Sequence, residues 1–104
     1  MPPELVDDIN RYAVIREFGK DEFIHKAGKV SNYTSWILKG LVRLYYVRDG
    51  EEITTKFLWE DAAVTSVYSY YSRKPGNENI VALEPTVMAS LHYDHMQELY
   101  RKHP

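Results

Sequence analysis

Residues 23–57, FIHKAGKVSNYTSWILKGLVRLYYVRDGEEITTKF, set Gly28, Gly40 and Gly50 between short runs in which apolar and polar side chains alternate. Alternation sends successive side chains to opposite faces of an extended chain, and it holds through Val42-Arg43-Leu44-Tyr45-Tyr46-Val47 and Ile53-Thr54-Thr55-Lys56-Phe57. Asp49-Gly50 between these runs tolerates the positive φ angles of a two-residue hairpin. Working outward, the same pattern predicts strands over residues 14–18, 23–25, 36–39, 41–47, 51–58, 62–65, 79–83 and 87–91. Short strands with a turn about every ten residues describe a mainly β chain, a double-wound roll whose wrapping protects its sheet edges.

The flanks change period. Leu5, Ile9 and Tyr12 recur at helical spacing after Pro2-Pro3, which predicts a short helix over residues 4–12. Met96, Leu99 and Tyr100 share a face, with Asp94 placed to cap through the Gln97 amide, which predicts a second helix over residues 94–103. At 104 residues there is room for one core, burying roughly 60 to 65% of the unfolded surface, so the reading is a single domain over residues 1–104 with its β-roll at 14–91. A hydrophobic content of 44% against 27% charged residues suits a folded, cytoplasmic chain, and no apolar run approaches the ~18 residues that would span a bilayer. Thirteen basic residues lie scattered among fifteen acidic ones, so there is no clustered positive field for nucleic acid. The absence of cysteine excludes a disulfide framework, a thiol nucleophile and an iron–sulfur cluster.

The order of pieces resembles the sensory domain of Crp/Fnr-type bacterial transcription regulators: an apolar strand with Ala27-Gly28, a loop, Trp36-Ile37-Leu38-Lys39-Gly40, the Asp49-Gly50 hairpin, then Ile80-Val81-Ala82-Leu83-Glu84. The resemblance covers the chain from Val14 onward. It implies a cyclic-nucleotide-binding-like jelly roll, or double-stranded β-helix, that receives a small-molecule effector of unspecified identity. It further implies a homodimer in the full regulator, with DNA contacted by a helix-turn-helix and not by this chain.

In that family a short helix turns its amides toward a cyclic phosphate, an arginine neutralises the charge, and a Gly-Glu pair holds the ribose hydroxyl. Counting from Ile80-x-Ala82, the arginine position falls on Gly76, its polar successor on Asn77, and the Gly-Glu pair on Thr65-Ser66. The ligand-binding residues the resemblance implies are therefore Thr65, Ser66, Val67, Tyr68, Gly76 and Asn77, with Arg73 as the nearest alternative cation and Tyr68, Tyr70 and Tyr71 crowding the site. A phosphate held without a counter-charge loses several kcal/mol of solvation, and helix-start dipoles return only about 0.3 to 2 kcal/mol. The cassette reads as degenerate, so cyclic nucleotide is not expected to bind in the usual way.

Other constellations are weaker. A stand-alone cupin-like roll, binding or transforming a small metabolite, is the alternative. It wants a His-x-His pair, whereas His25 stands alone and His92-x-x-His95 straddles a strand end and a helix start, so the histidines read as surface or capping groups with no metal or cofactor. Glu60-Asp61 reads as a solvated turn, and Arg43 and Lys56 as solvated strand charges. The aromatics Tyr45, Tyr46, Phe57, Trp59, Tyr68, Tyr70 and Tyr71 read as core and rim. Ser66 and Ser69 have no histidine or lysine beside them, so no catalytic residues are assigned and the chain reads as non-enzymatic.

Overall fold

The computed structural model describes residues 2–104. The elements run α1 (Pro3–Tyr12), β1 (Val14–Phe18), β2 (Phe23–His25), β3 (Tyr33–Lys39), β4 (Val42–Arg48), β5 (Glu51–Leu58), β6 (Ala63–Val64), α2 (Val67–Ser72), β7 (Asn79–Ala82), β8 (Thr86–His92) and α3 (Tyr93–Lys102). Among the described residues the strands form two four-stranded sheets, ordered β1-β8-β3-β6 and β2-β7-β4-β5, with every pairing antiparallel. Only β4 and β5 are neighbours both in sequence and in a sheet. Every other connection between successive strands passes from one sheet to the other, and this double winding is the β-roll that the alternation predicts.

Two turns show why the glycines stand where they do. At the β4–β5 hairpin Asp49 has φ 53° and Gly50 φ 80°, with Arg48 opposite Glu51, so both central residues are left-handed as a two-residue turn requires. Between β3 and β4, where the chain changes sheets, Gly40 has φ 125°, and a Cβ there would fall 2.7 Å from the Cα of Thr86. The backbone at the start of β8 occupies the space of any side chain at residue 40.

The core follows from the inward phase of each strand. Ile37 stands opposite Met88 in one sheet and Val42 opposite Ala82 in the other, all four without solvent exposure, and Phe18, Leu44, Val64 and Ile80 complete the cluster. The helices pack on each other beside β8. Tyr12 stacks on His95 at 4.5 Å, and the Asp8 carboxylate lies 3.1 Å from His103 Nε2 and 3.6 Å from Lys102 Nζ. One detail corrects the sequence reading. Asp94 is not the cap of α3: His92 is, its Nδ1 accepting the Asp94 N–H at 3.1 Å, because β8 runs on through His92 and the helix starts at Tyr93.

Gly40→Ala is expected to destabilise the domain by about 3 kcal/mol in urea unfolding, combining left-handed strain with overpacking against backbone that cannot move aside. Gly50→Val, strained but in open space, is expected to cost about 1 to 2 kcal/mol. Equal effects would contradict the close approach at Gly40. The His103 bond, helped by the charge of Lys102, holds the Asp8 carboxyl below its ordinary range. A depressed carboxyl stabilises the fold above its unfolded pKa, and that contribution disappears as pH falls through the folded value. Urea midpoints measured from about pH 6 down to about pH 2 should therefore fall less steeply for Asp8→Asn than for the parent chain.

Candidate functional site

The segment from Thr65 to Glu78 leaves β6, forms α2 and returns to β7. Ser66 is the residue before the helix, buried and without a side-chain capping bond. A left-handed Arg73, φ 62°, ends the helix after six residues. Thr65, Ser66, Val67 and Tyr68 on the way in, and Gly76 and Asn77 on the way out, border one cavity of about 250 Å³. The structure thus brings together six of the seven residues that the sequence singles out.

Arg73, the seventh, faces elsewhere. Its guanidinium donates to the carbonyls of Ser31 at 2.9 Å and Tyr70 at 3.0 Å and to Asn32 Oδ1 at 2.6 Å, and it lies 3.8 Å from the centre of the Tyr93 ring. Ser69 completes the same joint, its Oγ accepting the Ser31 N–H at 2.8 Å. The far side of α2 is thereby fastened to the β2–β3 loop and to α3, while its near side faces the cavity.

Leu44, Lys56 and Glu78 close the cavity wall. Lys56 is exposed, as a solvated strand charge should be, yet it also borders the cavity, and a β-bulge explains why. Leu44 pairs with Lys56 but the next residue, Tyr45, pairs with Thr54, so Thr55 is an extra residue and the parity of β5 changes there. Alternation counted from Ile53 misassigns every face beyond the bulge. The bulge is marked by Thr55 Oγ1, which donates to the Leu44 carbonyl at 3.2 Å. Among the described residues neither Lys56 nor Glu78 has an ion-pair partner, whereas Arg43 is held by Glu52 at 2.8 Å.

The tyrosines do not crowd the site as expected. Tyr68 lines the cavity but is 63% exposed, Tyr71 projects into solvent, and Tyr70 turns into the interior against Tyr93 with ring centres 5.3 Å apart. The Tyr70 hydroxyl is buried without a partner, and burial, followed by the neighbouring Tyr100, pushes it up to about 12. Phe57 and Trp59 are exposed on β5 and beyond it, so the aromatics form no common pocket.

The remaining candidate groups lie outside this cavity. His25 is half-buried rather than a fully exposed surface group, and its Nε2 is buried without a partner. The Glu60 carboxyl, bonded by its own amide and by that of Gly40, is held below the usual carboxylate range, and it stays at an exposed turn. Among the described residues no three metal-ligating side chains converge, and no helix is long and apolar enough to cross a membrane.

The sequence profile of the cyclic nucleotide-binding domain matches residues 15–103. No curated protein matches the chain. Among solved structures, the catabolite activator protein of Thermus thermophilus superimposes with a TM-score of 0.86 at 23% identity, over 98% of this chain and 48% of that one. The sensor domain of the transcriptional regulator DNR from Pseudomonas aeruginosa gives 0.84 at 12% identity, over 97% and 68%. The regulatory subunit of a cAMP-independent protein kinase A from Trypanosoma cruzi, bound to guanosine, gives 0.85 at 16%, over 96% and 35%. This chain spans about half the length of the Thermus protein. At these identities the likeness is one of fold.

The two faces of α2 should respond differently to substitution. Tyr70→Phe removes a hydroxyl with no partner and is expected to leave stability unchanged or raise it by up to about 1 kcal/mol, whereas Arg73→Ala is expected to lower it by about 2 kcal/mol. A destabilising Tyr70→Phe in urea unfolding would show that the hydroxyl is bonded after all.

Proposed function

The chain belongs to the cyclic nucleotide-binding domain family, and from that premise we propose that it is the sensory domain of a Crp/Fnr-type transcription regulator whose effector is not held by the usual cyclic-phosphate contacts. The carrying observation is the cavity at the start of α2, bordered by Gly76 and Ser66, the residues to which the resemblance assigns the arginine and ribose-binding carboxylate positions. Arg73 is committed to Ser31, Asn32 and Tyr93, so it is not free to substitute. The one cation on the wall, Lys56, is an exposed ammonium on a flexible stem, and such a group contributes only about 0 to 1 kcal/mol to holding an anion.

What remains suits a ligand bound mainly by its apolar body and its hydroxyl or amide groups: Leu44, Val67 and Tyr68 supply contact area, and Thr65, Ser66 and Asn77 supply hydrogen bonds. The trypanosome kinase subunit, bound to guanosine, supports this, since a nucleoside carries no phosphate. The likeness to the Thermus catabolite activator protein and to the DNR sensor domain supports the regulator reading. In this reading the chain is cytoplasmic and non-enzymatic, dimerises within the full regulator, and leaves DNA contact to another part of the protein.

Calorimetry with 3′,5′-cyclic AMP and cyclic GMP is expected to show no dissociation constant tighter than about 1 mM. A Cβ at residue 76 would lie 3.3 Å from the exposed Tyr68 ring, which can swing aside, so Gly76→Arg is expected to fold and to tighten cyclic AMP binding about tenfold or more. Micromolar binding by the parent chain would overturn the proposal.

A further inference from the structure

A second cavity, of about 270 Å³, lies between the two sheets beneath residues 26–32. It shares only Thr65 with the cassette cavity, so a role for it is independent of the function proposed for the cassette. We propose that it is a binding site for a small organic carboxylate with an apolar body.

Arg16 is the first determinant of the site. On β1 it stands two residues before Phe18, which is buried in the core, so both side chains leave the inner face of their sheet. The guanidinium lies 4.2 Å from the centre of the Tyr33 ring and 5.0 Å from that of Phe18. Among the described residues it has no carboxylate partner and makes no side-chain hydrogen bond, although its planar fork is built to take two from one anion. Lys26 and Lys29 enter the same cavity from the loop, both without a carboxylate partner, and no acidic residue lines it. A cleft lined by one sign of charge between low-dielectric walls concentrates the opposite ion.

The rest of the lining says what the anion carries. Ile24, Val64 and Ile80 form an apolar floor, and Phe23 and Tyr33 supply aromatic walls. Inorganic phosphate would leave that surface uncovered, whereas an aromatic or branched carboxylate would bury it while meeting Arg16. His25 also lines the cavity, with its Nε2 buried and unpartnered. Burial, with the charge of Lys29 second, pushes its imidazole down toward the neutral form, which can donate or accept as a bound molecule requires.

The test titrates the chain with sodium benzoate at low ionic strength and follows backbone and aromatic NMR shifts. Saturable changes are expected at Arg16, Phe23, His25 and Tyr33, with inorganic phosphate a poor competitor. Arg16→Met keeps the stem on Phe18 and Tyr33 but removes the fork. It is expected to weaken benzoate binding about tenfold or more while moving the melting temperature by no more than about 3 °C. If that variant does not fold, Lys29→Gln in the exposed loop replaces it, with an expected loss of about threefold. The proposal is overturned by shifts that do not saturate, by shifts centred on Lys56, Tyr68 and Gly76, by phosphate competing as well as benzoate, or by a folded variant that binds benzoate as tightly as the parent chain.

Discussion

At residue 40 two sheets are joined by backbone alone. A Cβ at this point would lie 2.7 Å from the Thr86 Cα, so the end of β3 and the start of β8 can approach only because residue 40 has no side chain. The positive φ of Gly40 then turns the chain from one sheet into the other and starts β4 with Val42 pointing inward against Ala82. Everything downstream inherits that placement. The β4–β5 hairpin, the bulge at Thr55 and the side of the roll that Leu44 and Lys56 line all follow from where β4 begins.

The cassette depends on a second joint, which is polar. Arg73 and Ser69 hold α2 to the β2–β3 loop and to α3, and Tyr70 fills the space behind the helix with its ring while its hydroxyl stays unpaired. None of these contacts involves the cavity side. The helix is therefore held by groups that do not line the cassette cavity. The supporting contacts and the cassette cavity lie on opposite faces of one short helix.

Charge within the roll is arranged differently from charge outside it. Arg43, Asp8 and Arg101 are paired, whereas among the described residues the cations that border the two cavities, Arg16, Lys26, Lys29 and Lys56, are not. The half-buried Arg16 guanidinium contributes less to stability than a paired one, because no counter-ion offsets its partial desolvation. Thr65 borders both cavities and its Oγ1 donates to the Tyr33 carbonyl at 3.3 Å. The two spaces are thus walled in part by the same short connection between β6 and α2.

The sequence by itself determined the strand segments and the one local hairpin, because alternation and Asp49-Gly50 act over a few residues. The family resemblance pointed to Thr65 to Tyr68 and to Gly76-Asn77 by counting back from Ile80-x-Ala82, and these six residues border one cavity. What only the tertiary structure decided are the contacts between segments far apart in the chain. The direction of Arg73 depends on a loop some forty residues away in sequence. The face that Lys56 takes, beside the cassette cavity, depends on one extra residue in β5, which reverses parity and leaves no mark in composition. The cavity around Arg16 exists because strands from both sheets enclose it, and alternation along β1 names a face without saying whether water, a carboxylate or an aromatic ring stands opposite. Local pattern specifies which way a side chain points along its own strand, and only packing specifies what it meets.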